Sequence, residues 1–193
     1  MQTLGISNEP RKTDNWFKRV FWASDDPSEV DGLGQQGFWL CMIIAVLTLA
    51  VSAAPGHPLM GLLAAAVFFL GGVGVREHSI GAASVIALVY LFSMFAGILV
   101  LRRPPGLLDL FAMLLLASNV RGTWIASKWS RVLPPEEQPL RFNESWRDKL
   151  VDQMPAKVWP KAKIIFFILA GIYWLLVTFG TMVLLARLLH ARS

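Results

Sequence analysis

The stretch "PLMGLLAAAVFFLGGVGVREHSIGAASVIALVYLFSMFAGILVL", residues 58–101, decides how this chain folds. Two apolar runs, 58–75 and 80–101, are parted only by Arg76, Glu77, His78 and Ser79. As helices, the 18 and 22 residues of these runs extend about 27 and 33 Å, close to the ~30 Å hydrocarbon core of a bilayer. Four polar residues between them suffice for a tight turn joining antiparallel helices. The stretch therefore reads as a membrane-spanning helical hairpin.

The same pattern continues on either side. Residues 37–55 and 164–186 are further apolar runs without a single Asp, Glu, Lys or Arg. A fifth, 106–120, is only 15 residues long and carries Asp109 and Asn119. Extended through Ala126 it reaches 21 residues, with Arg121 free to snorkel towards the headgroups. The whole chain of 193 residues is 55% hydrophobic and 16% charged, against about 25% charged in ordinary soluble domains. A soluble core of this size has no room for such long apolar blocks.

Basic residues set the orientation. With five spans, 14 of the 18 Lys and Arg residues fall on the side of the N-terminal tail. If segment 106–120 only dips into the bilayer, the division is 11 against 7. The positive-inside rule favours the sharper division. The expectation is an all-α polytopic membrane protein with about five transmembrane helices, the fourth being the weakest, N-terminus in the cytosol and C-terminus opposite. Trp16, Trp22, Trp39, Trp124, Trp129, Trp146 and Trp159 all fall in or beside regions assigned to the cytosolic side, as suits a residue that favours the interface.

The expected organisation is a cytosolic tail (1–36), a four-helix membrane region (37–126), a cytosolic loop (127–163), and a last span with a short tail (164–193). Two short amphipathic interfacial helices are expected at 14–24 and 145–154. The first sets Trp16 with Val20, and Phe17 with Phe21, at i,i+4 spacing. The second opens with a capping-box pattern, Ser145 and Asp148, and closes at Pro155. Trp16, Trp22, Trp146 and Trp159 are the expected interface anchors. The stretch 24–37, "SDDPSEVDGLGQQG", reads as a linker rich in turn residues and acids. The first span follows too long a tail for a typical signal peptide, although Val51-Ser52-Ala53 resembles a cleavage site.

Chemistry-bearing residues are few. The lone Cys41 allows neither an intrachain disulfide nor a cysteine metal cage, and His57, His78 and His190 lie far apart. No cofactor and no nucleic-acid partner is expected. Arg76, Glu77 and His78, with Asn119 and Arg121, form a candidate polar interface cluster. Ser79 reads as the N-cap of the following helix, and a Glu77–Arg121 contact would join two hairpins. The catalytic alternative makes His78 a base oriented by Glu77.

Asp109 is a candidate ion site, expected near the outer surface within reach of Arg102 or Arg103. Gly61/Ala65, Ala83/Ala87 and Ser93/Gly97 are small-xxx-small pairs that permit close helix approach, and Gly71, Gly72 and Gly74 permit more of it. "EEQPLR", 136–141, matches a metallo-peptidase-like EExxxR pattern by chance, since prolines place it in a loop. "NES", 143–145, matches a glycosylation acceptor on the side where it goes unused.

The functional expectation is an integral membrane subunit, anchor or scaffold, partnered by the lipid bilayer and by a protein partner or further copies of itself. The alternatives are a small oligomeric transporter or ion-conducting subunit using Asp109, Asn119 and Glu77, and a membrane enzyme using His78 and Glu77.

Overall fold

The computed structural model describes residues 27–52, 58–102, 104–132 and 149–190. Among them every element is helical: α1 (Pro27–Ser52), α2 (Pro58–Arg76), α3 (Ile80–Leu101), α4 (Leu107–Val132), and a π-helical turn (Lys149–Gln153) that runs into α5 (Met154–His190). Five helices are long and apolar enough to cross a membrane, the segment Leu107–Lys128 among them. The expected helix 14–24 and the first part of 145–154 lie outside the described residues, as do Trp16, Trp22, Trp146, His57, Arg103 and the 136–145 motifs.

α2 is the centre of the assembly. It packs against α1, α3 and α5, while α4 closes the other side against α1 and α3. Its glycines explain this position. A Cβ on Gly71 would collide with the Ile86 side chain, and one on Gly74 with Trp159 and Ala82. One on Gly72 would lie 2.7 Å from Cys41 Cβ. Three neighbours thus approach the α2 backbone at places where a side chain is missing, as small-residue packing requires. Phe38, Cys41, Val67, Phe68, Val73, Ile86, Val89 and Phe166 fill the surrounding core.

From Pro27 onward, the linker expected at 24–37 is instead the first three turns of α1. Pro27 suits a helix start, where its missing N–H is not needed. Val30 and Leu33 then pack with Ile125 and Ala126 of α4, and Gly34 and Gly37 are buried in the joint. Tertiary packing overrides the weak helix propensity of three glycines in seven residues.

Pro155, expected to end a helix, lies at the start of α5, in the turn that needs no N–H donor. The helix also continues through Pro160. The last span is therefore preceded by ten residues of continuous helix, Met154 to Lys163, with Lys157, Lys161 and Lys163 exposed and Trp159 and Ala162 buried.

Packing is uneven along the bundle. Beyond Ala170, α5 has no buried residue among those described, and Phe179, Leu175 and Met182 are exposed. Among the described residues, a Cβ on Gly97 would meet nothing within 4 Å. The Gly97 end of the Ser93/Gly97 pair therefore makes no close helix contact there, unlike buried Gly61/Ala65 and Ala83/Ala87.

Candidate functional site

α2 ends in a turn that the backbone hydrogen bonds define fully. Ser79 N donates to Gly74 O at 2.9 Å and His78 N to Val75 O at 3.0 Å. His78 has φ 52°. This is a Schellman motif with histidine in the left-handed position that glycine usually takes. Ser79 then caps α3, its side chain accepting from Ala82 N. The motif orients Arg76, the last residue of α2, into the bundle rather than out to solvent.

Arg76 is 1% exposed and lies between two carboxylates. Nη1 donates to Asp31 Oδ1 at 2.6 Å and to Asp31 O at 3.3 Å, and Nη2 to Asp31 Oδ2 at 3.2 Å. Nε donates to Asp152 Oδ1 at 2.9 Å, and Nη2 contacts the same oxygen. These contacts match the five N–H groups of a guanidinium. Asp31 belongs to α1 and Asp152 to the π-helical turn before α5. One side chain thus fastens three helix ends. A cation at a helix C-terminus and a carboxylate near a helix N-terminus also suit the two dipoles.

The remaining members of the expected polar cluster lie around this clasp. A Cβ on Gly34 would be 3.2 Å from His78 Cε1 and 3.4 Å from Arg76 Nη1, so the histidine ring packs into the α1–α2 joint. Asn119 is 2% exposed. Its Nδ2 donates to Leu115 O at 2.8 Å, and its Oδ1 faces Gly37, where a Cβ would lie 2.5 Å away. Glu77 and Arg121 are half-buried. Sequence reasoning missed Asp31 and Asp152. The available signal was the Asp31, Gly34, Gly37 spacing, which forms one face once this segment is helical.

Trp159, expected as an interface anchor, is 7% exposed and its ring lies 5.7 Å from that of Phe166. It fills the space left by Gly74 rather than facing outward. Trp124 is 49% exposed, with Lys128 Nζ 3.5 Å from its ring centroid.

A second polar group occupies the other half of the bundle. Asp109 Oδ2 accepts from Gly106 N at 2.9 Å, closing the first turn of α4. Its Oδ1 accepts from Tyr90 Oη at 3.4 Å. Ser93 Oγ and Tyr173 Oη lie 3.4 Å apart, linking α3 to α5. Asp109 is expected beside Arg102 or Arg103; among the described residues its carboxylate meets Tyr90 and Gly106 rather than Arg102, and Arg103 lies outside them. Arg102 is the exposed left-handed C-cap of α3, whereas Asp109 meets Tyr90, eleven residues before Leu101, the last residue of that helix. Tyr90, Ser93, Met94, Gly97, Pro104, Pro105 and Asp109 line a cavity of about 240 Å³. Among the described residues no group of His, Cys, Asp and Glu is arranged to hold a metal ion.

Comparison with protein-family models, with curated proteins and with solved structures finds no match to this chain.

Proposed function

We propose that the chain is a multi-pass integral membrane protein whose work is structural: a subunit, anchor or scaffold that presents a rigid cytosolic face. The observation that carries this reading is the Arg76 clasp. Its guanidinium is committed to two carboxylates of the same chain, so the most buried charge joins helices rather than meeting a substrate. The joined ends carry the exposed Lys157, Lys161 and Lys163, which suit an anionic lipid surface. The five-span count of basic residues assigns this end and the N-terminus to the cytosol, and the C-terminus to the opposite side.

Purification in mild detergent tests the reading. A fixed stoichiometric partner, or a defined oligomer, supports it. A monomer that carries no partner removes it. Cysteines at positions 79 and 193 test the topology, because five spans require them to react from opposite sides. A second reading, a small transporter, draws on one observation: Asp109 and its cavity lie along the length of α3 rather than at its end.

A further inference from the structure

α3 and α5 act as rulers across the bundle. The apolar stretch of α3 runs from Ile80 to the exposed Arg102, and that of α5 from the exposed Lys163 to Arg187. Each corresponds to about 33–35 Å of helix, one bilayer core. Tyr90 is ten residues past Ile80 and eleven before Leu101. Tyr173, bonded across to Ser93, is likewise ten residues past Lys163. Contact with Tyr90 therefore places Asp109 level with the middle of α3, so on this ruler α4, although itself long and apolar enough to span, begins at mid-depth. The non-helical residues 104–106 return along the outer half of α3, where Pro104 and Pro105 share a cavity with Met94 and Gly97.

Irregular backbone at that depth is tolerated only when it is buried in protein or lines a water-filled cavity. Pro104 is exposed and Pro105 and Gly106 are half-buried, so protein does not cover them. We propose that this cavity is a water-reached binding site for a small organic ammonium group, with Asp109 as its counter-charge. The inference rests on reading α3 and α5 as bilayer-spanning.

The chemistry of the walls selects the ligand. A carboxylate offers about four lone-pair sites, and Gly106 N and Tyr90 Oη use two. Among the described residues no cation pairs with Asp109. A hard metal ion requires six or more oxygens, and the side chains here offer one carboxylate and two hydroxyls. An ammonium needs fewer acceptors, and Tyr90 adds an aromatic ring. Met94, Pro104, Pro105 and Gly97 suit an apolar body. At about 240 Å³ the cavity is smaller than the roughly 300–1,000 Å³ of drug-sized sites, which limits the guest to a simple amine.

The test places a reporter in the wall. Met94→Cys in liposomes is treated with trimethylammonioethyl methanethiosulfonate, and separately with its sulfonate counterpart. The buried Cys41 of the unsubstituted chain serves as the blank. The expected result is a cation preference of at least about tenfold, the scale of one charged hydrogen bond. Benzylamine slows the labelling. Adding Asp109→Asn removes both the preference and the protection while leaving the introduced thiol reactive.

Phosphatidylethanolamine in the liposomes distinguishes the source. Protection by this lipid alone identifies a headgroup amine, and protection only by added benzylamine identifies a water-borne one. An unreactive thiol at position 94 overturns the site, as does labelling indifferent to charge, benzylamine and Asp109. Leu175→Cys, on the exposed face of α5, separates the two layers of the argument. Its expected inertness keeps the bilayer reading. Labelling as fast as that of Met94→Cys overturns that reading and the site with it.

Discussion

Removing the partners of Arg76 one at a time should cost unequal amounts. Asp152 is 6% exposed and Asp31 is 36% exposed at the side chain. Breaking a buried ion pair by deleting one partner costs about 3–5 kcal/mol, because the other charge is left uncompensated. Asp31 remains beside Arg76 when Asp152 is lost, so Asp152→Ala should cost about 3 kcal/mol, the lower end of that range. A pair on the solvent side is worth only about 0.2–1 kcal/mol, so Asp31→Ala should cost about 1 kcal/mol. Arg76→Ala strands the buried Asp152 and belongs at about 3 kcal/mol or more.

The Arg76→Met, Asp152→Leu double substitution should cost less than the sum of its single changes by about 2 kcal/mol. Reversible unfolding in mixed dodecyl maltoside and SDS micelles, followed by far-UV circular dichroism, measures the three alanine variants, the double substitution, and Arg76→Met and Asp152→Leu singly. An Asp31→Ala cost equal to or above that of Asp152→Ala would refute the burial argument. An additive double substitution would show that Arg76 and Asp152 do not act as a pair.

Gly37→Ala should destabilise by about 1–3 kcal/mol through overpacking, since its Cβ would lie 2.5 Å from Asn119 Oδ1 and 2.7 Å from Val75 Cγ1. Gly180→Ala, with nothing within 4 Å among the described residues, should instead be neutral or stabilising by up to about 1 kcal/mol. The same unfolding assay compares them, and equal losses would contradict the packing described. His78→Val should be about 1–2 kcal/mol less stable than His78→Gly, because a β-branched residue resists the left-handed turn; equal stabilities would remove that strain. Charge reversal at Glu77 or Arg121 alone should lower stability, and reversal of both should restore part of it. Absence of rescue would mean that the two do not face each other.

The hairpin was legible in the sequence because its signal is local. Two apolar runs and four polar residues suffice to place the turn, and Ser79 as the cap of α3 follows from position alone. The close approach at Gly71, Gly72 and Gly74 was legible for the same reason. What escaped depends on partners remote in the chain. The acidic, glycine-rich start of α1 resembles a linker until α4 supplies Ile125 and Ala126 for Val30 and Leu33. Asp31 and Asp152 could not be matched to Arg76 while their segments were read as a linker and a separate helix. The Asp109–Tyr90 contact escaped because the two residues sit on different helices, 19 positions apart. Trp159 escaped because the space it fills is made by Gly74, a residue 85 positions earlier.

The clasp also imposes a timetable on biogenesis. Asp31 precedes Arg76 by 45 residues, whereas Asp152 follows it by 76. At roughly 5–20 residues per second of synthesis, the nascent chain holds Arg76 with only its first carboxylate for about 4–15 s. During that interval Asp31 already balances the charge of Arg76, but the Nε donor still lacks its acceptor. Arrival of the π-helical turn supplies that acceptor, Asp152 Oδ1, on the segment that leads into α5. A chain halted before residue 149 therefore leaves one edge of the Arg76 guanidinium without the acceptor that a finished chain provides.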